Sequence, residues 1–188
     1  RLWWPTLAIY VKYHVTACPI CAQNNAVHSL PAGLLRPNEV SPHPWHTISL
    51  DFVTDLRKSN AKSAILVVVN LFSKMSHFIP LTKIHSSREL VYISVANILK
   101  LHGLPSIIIS DRGPQFISKF WRGLCSALGI DVRLATAYHP HTDGQTERVN
   151  QSMEQILRCL LSYHSSEWDK VLPIAEFVYN NSEHSATK

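Results

Sequence analysis

The chain is expected to fold as a mixed α/β domain in which a five-stranded sheet is flanked by helices. Three observations carry this expectation. ISLDF (48 to 52) alternates apolar and polar residues, the mark of a strand that directs Ile48, Leu50 and Phe52 one way and Asp51 the other. AILVVVNLF (64 to 72) is apolar on both faces, as a central strand is. Beyond residue 85, helical periodicities alternate with short apolar strands, the pattern of a sheet covered by helices.

Taken in order, ISLDF, AILVVVNLF and SHFIPL (76 to 81) read as an antiparallel meander. Ser86 with Glu89 forms a capping box, and the helix it opens runs through Leu90, Ile93, Ile98 and Leu101 until Gly103 and Pro105 stop it. PSIIISD (105 to 111) is then a buried strand that releases Asp111 at its carboxyl end. SKFWRGLCSALG reads as a helix closed by Gly129, and VRLAT as the fifth strand. From Gly144 onward Val149, Met153, Ile156, Leu157, Leu160 and Leu161 recur at helical spacing, with Glu147, Gln151, Glu154 and Arg158 on the opposite face. Thr142 or Asp143 could cap that helix.

Composition bounds the function without naming it. The 188 residues are 46% hydrophobic and 16% charged, which is globular and not disordered. Eighteen Lys and Arg against thirteen Asp and Glu give a net charge of +5, and the excess favours polyanionic partners while being equally compatible with an ordinary basic surface. The strongest apolar run is shorter than a membrane span and is broken by Asn70, so no membrane partner is expected. Four cysteines do not make a disulfide framework at this length, which points to a reducing, intracellular setting. A first residue of Arg, with no signal peptide, reads as a fragment.

Three units are expected. Residues 1–28 hold aromatics and the turn Cys18-Pro-Ile-Cys21; residues 29–43, with Pro31, Gly33, Pro37 and Pro42, read as an extended linker; residues 44–188 are the core.

Asp51, Asp111 and Glu147 are the candidates for chemistry, on a strand, at a strand end and in a first helical turn, with 35 residues between the last two. Hard oxygen ligands from separate elements suit a pair of divalent ions, which can activate an attacking oxygen and stabilise a leaving one in phosphoryl transfer. Each has a plain alternative: a solvated strand residue, a turn former before Arg112 and Gly113, and a helix-dipole partner.

The words PWHTISLDFVTDL, AILVVVNLFSKMSHFIPL, HGLPSIIISDRGPQFISKFW, LGIDVRLATAYHPHTDGQTERVNQ and LPIAEFVYNNSEHSAT, in that order and with the carboxylate spacing intact, resemble the catalytic core of retroviral-type integrases, most closely those of gypsy-type LTR retrotransposon polyproteins. The resemblance implies an RNase H-like core and a polynucleotidyl transferase, a nucleic-acid-joining enzyme of the DDE type. Water would cut near the 3′ end of element DNA, and the freed hydroxyl would attack a phosphodiester of target DNA. It assigns Asp51, Asp111 and Glu147 to two Mg²⁺ ions, with Mn²⁺ the less available substitute. It places Tyr138, His139 and His141 in a loop that meets the DNA end, and leaves Asn150 to orient a carboxylate or touch a phosphate. Arg112, Lys119 and Arg148 are candidate phosphate contacts, with a solvated charge as the default.

Integrases of this type also carry an N-terminal zinc module whose paired histidines precede a CxxC. Cys18 and Cys21 match its second half, so residues 1–28 would be a small helical remnant of that module, and Zn²⁺ is expected only with a histidine pair upstream of Arg1. His14 and His28 read as bystanders, and Cys125 and Cys159 as core residues. Family members carry Asp and Arg where this chain has Asn70 and Leu71, a departure expected to weaken a local ion pair. The expected partners are element ends, target duplex and further copies of the chain, in the nucleus. Two rivals stay open: an integrase relic that only binds DNA or protein, and an RNase H-type nuclease.

Overall fold

A computed structural model of the chain describes residues 3–20, 41–134, 144–161 and 167–184. The sheet comprises β1 (Thr47–Val53), β2 (Ala64–Asn70), β3 (Ser76–Leu81), β4 (Ile107–Ser110) and β5 (Asp131–Leu134), in the order β3-β2-β1-β4-β5. The first three strands are the expected antiparallel meander. β4 and β5 add in parallel on the other side of β1. The switch follows from the connections, since short loops return antiparallel while β4 and β5 arrive through helical crossovers.

The helices are α1 (Leu7–Ala17), α2 (Ser87–Ser94), α3 (Lys100–His102), α4 (Pro114–Ile117), α5 (Lys119–Ala127), α6 (Gly144–Leu161) and α7 (Trp168–Asn180), with a π turn, Val95–Leu99, joining α2 to α3. They cover both faces. Ile48, Leu50, Leu66, Val68 and Ile108 pack against Leu90, Ile98, Phe116, Trp121 and Cys125 on one side. Ile65, Val67, Val69 and Phe78 pack against Val149, Met153 and Leu157 of α6 and Trp168, Leu172 and Tyr179 of α7 on the other. Each such buried side chain stabilises the fold by roughly 1.5–3 kcal/mol. α1, in contrast, buries none of its residues.

Several expectations need amendment. β1 is central and covered on both faces, so its polar residues Thr47 and Ser49 are buried. The Ser86–Glu89 capping box is present, but the helix it opens widens into the π turn. The extra residue in that turn rotates the chain beyond it, and Leu101 leaves the apolar stripe to stand 60% exposed. Ser118 caps α5 and Gly129, at φ 72°, closes it as expected, while α4 before it has no counterpart in the sequence pattern. Nor does α7, which carries Pro173 inside it.

Asn70 has a structural part that the sequence reading did not give it. It is fully buried, and it organises the β2–β3 turn. Its Oδ1 accepts from the backbone of Trp45 and Phe72, each at 3.1 Å, and its Nδ2 donates to Ser73 Oγ at 2.6 Å.

At the outer edge of the sheet, α7 closes β3. Asn180 accepts from Ser76 N and donates to Ser76 O, both at 2.8 Å, and Glu176 Oε2 accepts from Phe78 N at 2.8 Å. The next outward position is Pro80, which has no donor.

Candidate active site

The polar face of β1 is where the site is built. Ser49 and Asp51 lie two residues apart on that strand and so point to the same face, the one covered by α6. Ser49 Oγ shares a buried 2.7 Å hydrogen bond with Thr146 Oγ1, and Asn150 Nδ2 donates to Asp51 Oδ2 at 2.6 Å. Four helical residues rise about 6 Å and two strand residues about 6.6 Å, so the two bonds match as rungs and α6 runs alongside β1 in the same direction.

These rungs fix the rotation of the helix. Successive residues turn by about 100°, which puts Glu147 on one flank of α6 and Gln145 on the other when Thr146 and Asn150 face the strand. The Gln145 flank is identified by its partner: Lys74 Nζ, in the β2–β3 turn, donates to Gln145 Oε1 at 2.7 Å. Glu147 therefore faces away from β2 and toward β4. Asp111 waits on that side. The parallel register pairs Leu50 with Ser110, so the next residue of each strand, Asp51 and Asp111, emerge side by side.

The three carboxylates thus share one end of the sheet, but they do not close on a common point. Among the described residues, no three His, Cys, Asp or Glu side chains are close enough to share an ion. Asp111 and Glu147 are exposed, and Asp111 Oδ1 accepts from Gly113 N at 3.0 Å. One further observation marks the site: Asn150 Oδ1 is buried beside Asp51 and has no hydrogen-bond donor among the described residues. An acceptor in that position suits an ion or the water an ion carries, because an unpaired buried oxygen otherwise costs about 1–3 kcal/mol. The donor set, three carboxylates and an amide oxygen, is that of a hard divalent cation.

Other expected residues separate into two groups. Arg112, Lys119 and Arg148 are exposed and able to meet a polyanion. Tyr138, His139 and His141 lie outside the described residues, as do Thr142, Asp143, Cys21, His28 and positions 29–40 of the linker. Cys18 is at the C-cap of α1 and His14 in its last turn. Cys125 is a core thiol whose pKa burial raises to about 11, and Cys159 is half-buried.

The sequence reading missed Ser49, Lys74, Gln145 and Thr146. Two carried a signal. Ser49 is a polar residue in a strand that proves central, and Thr146 is a polar residue three positions before Val149 on the apolar stripe of α6. Lys74 and Gln145 carried none, because their pairing depends on where the β2–β3 turn sits over the helix.

The comparisons with known proteins agree with this architecture. The chain is similar over all 188 residues, at 34% identity, to the transposon Tf2-3 polyprotein of Schizosaccharomyces pombe, and it spans 14% of that protein's length. Its fold resembles the simian T-cell lymphotropic virus intasome in complex with the PP2A regulatory subunit B56 gamma, with a TM-score of 0.64 and 24% identity, over 93% of this chain and 61% of that one. It also resembles the HTLV-2 integrase catalytic core domain in complex with magnesium, in its dimeric form, with a TM-score of 0.61 and 21% identity, over 79% of this chain and 94% of that one. These likenesses bear out the RNase H-like core. The integrase core domain model matches residues 41–140, more than half of the chain and the stretch that holds Asp51 and Asp111, and the chain belongs to that family.

Proposed function

We propose that the chain is the catalytic core of a DDE-type polynucleotidyl transferase that processes the 3′ ends of retroelement DNA and joins them to target DNA. The observation that carries this reading is the placement of Asp51, Asp111 and Glu147 at one end of the sheet by the β1–β4 register and by the rungs between β1 and α6. Asp51 and Asp111 would hold two Mg²⁺ ions and Glu147 would complete the second position, with Mn²⁺ able to substitute. When bound, divalent ions supply the positive charge that activates the attacking oxygen and stabilises the leaving one.

The side chains do the positioning. Asn150 holds Oδ2 of Asp51, and the Phe52 amide donates to Oδ1 at 2.8 Å. Each carboxylate oxygen has more than one lone pair, so a single hydrogen bond does not exhaust it as an acceptor. Exposed Arg112, Lys119 and Arg148 would engage phosphates and set the register of the duplex without reading its sequence. In the first reaction water attacks a phosphodiester near the 3′ end, and the bond to the 3′ oxygen breaks to leave a free hydroxyl. In the second, that hydroxyl forms a new bond to a target phosphorus as the target's own 3′ oxygen departs. No covalent intermediate with the protein is needed, so catalysis rests on orientation and charge. Such chemistry takes place in the nucleus, on copies of the chain assembled around two DNA ends. Cys18 and Cys21 would join an upstream histidine pair on Zn²⁺ in the longer protein.

A strand-transfer assay on matched duplex ends with Mg²⁺, run beside RNA–DNA hybrid cleavage, tests the reading. Joined products are expected. Hybrid cleavage without joining would favour a nuclease, and DNA binding without either would favour a relic.

A further inference from the structure

We infer that Lys74 and Ser49 are positioning residues that fix the rotation and register of α6 and so keep Glu147 on the flank nearer Asp111, Ser49 bonding the strand-facing side of the first turn and Lys74 the flank opposite Glu147. The inference rests on the reading of Glu147 as a metal ligand. Lys74 is set for the task by its backbone and its neighbours. It stands at φ 65°, a left-handed conformation uncommon for a side chain of this size, in the turn organised by buried Asn70. Its N–H donates to Asn70 O at 2.9 Å, and its Nζ donates to Leu71 O at 2.5 Å and to Gln145 Oε1 at 2.7 Å.

Gln145 and Thr146 directly precede Glu147. Pinning Gln145 from the β2–β3 turn and Thr146 from Ser49 removes two freedoms at once, rotation of the helix about its axis and sliding along β1. A slip of one residue would swing the carboxylate by about 100° and carry it off the β4 side. Neither Lys74 nor Ser49 needs to touch an ion or a phosphate for this. They act one step further out than a group bonded to a ligand, whose loss weakens metal affinity or activity by about 10–100-fold, so an effect near the lower end of that range is expected.

The test is Mn²⁺ binding by isothermal titration calorimetry, with thermal unfolding in parallel, on Lys74→Met, Ser49→Ala, Thr146→Val and Thr146→Ser, and on Asp111→Asn as a benchmark. Lys74→Met, Ser49→Ala and Thr146→Val are expected to raise the Mn²⁺ dissociation constant about 10-fold, and Thr146→Ser, which keeps the hydroxyl, to leave it near wild type. Because Thr146→Val keeps the shape of the side chain, its folded form can be titrated below the thermal midpoint. If the three variants lose thermal stability but bind Mn²⁺ as the wild type does, the role is merely structural and the inference is overturned, while an effect of Asp111→Asn would leave the function reading standing. If the wild type binds no Mn²⁺, or Asp111→Asn binds it equally, the function reading falls and the inference falls with it.

Discussion

Asn150 and Asp51 are 99 positions apart in sequence and 2.6 Å apart in space, and their hydrogen bond ties the helix of one candidate ligand to the strand of another. The amide gives one N–H to the carboxylate while its own oxygen is buried and has no donor among the described residues. A single side chain therefore restricts one ligand and offers a further acceptor beside it.

Replacing Asn150 by Ala should lower strand transfer by about 10–100-fold, the range for groups that orient a ligand. The loss should lie in turnover more than in DNA affinity, because the bond is to a carboxylate and not to a phosphate. Steady-state comparison of the two parameters checks this; a change confined to DNA binding would count against it.

Asp51→Asn, Asp111→Asn and Glu147→Gln should each reduce strand transfer by more than about 100-fold, beyond the effect of an outer partner. Combining any two should add little, since residues that act as a unit are not additive. The fold should survive, as measured by thermal unfolding, because each change relieves repulsion among carboxylates. Full activity in any single variant would sink the triad.

Duplex DNA affinity should fall with salt and vary little with sequence, as released counterions dominate phosphate binding. Arg112→Ala, Lys119→Ala and Arg148→Ala should each lower the slope of log K against log salt by about 1. Filter binding or anisotropy at several salt concentrations provides the slopes, and an unchanged slope removes that residue from the interface.

The core should lose stability in mild acid through His102. Its ring stacks on Trp45 at 3.5 Å, and its Nε2 shares a 2.9 Å hydrogen bond with His77 Nε2, whose Nδ1 meets Glu176 at 3.0 Å. Burial first, then the neighbouring His77, lower the His102 pKa from its ordinary value of 6.5. The unfolded chain therefore takes up this proton at a higher pH than the folded one. The stabilisation is full above about 6.5 and is lost as pH falls toward the lowered value. Thermal midpoints between about pH 7.5 and 5 should show the decline, and His102→Gln should flatten it.

Much of this was legible in the sequence because periodicity records burial. The alternation in ISLDF put Asp51 opposite the core that takes Ile48 and Leu50, and the stripe through Val149, Met153 and Leu157 put Glu147 off the buried face. What periodicity does not record is which elements meet. Nothing in the composition of the turn Leu71-Phe-Ser-Lys74 says that Lys74 will reach Gln145, 71 positions away. The part of Asn70 was hidden for a related reason: its amide nitrogen donates to Ser73, a bond that a carboxylate could not donate and that depends on how the turn folds back. Pro173 concealed α7 because proline inside a helix argues against one, and only packing of Leu172, Ala175 and Tyr179 outweighs it.

If copies of this core share one length of DNA, as the proposed function requires, the closure of β3 by α7 bears on how they can do so. An extended peptide laid along β3 would find the amides of Ser76 and Phe78 already engaged and none at Pro80. Strand-on-strand growth from molecule to molecule, the route by which crowded sheets turn into fibres, has no template on that side. Crowding on DNA, under the proposed function, would then raise the local concentration without turning proximity along β3 into irreversible aggregation.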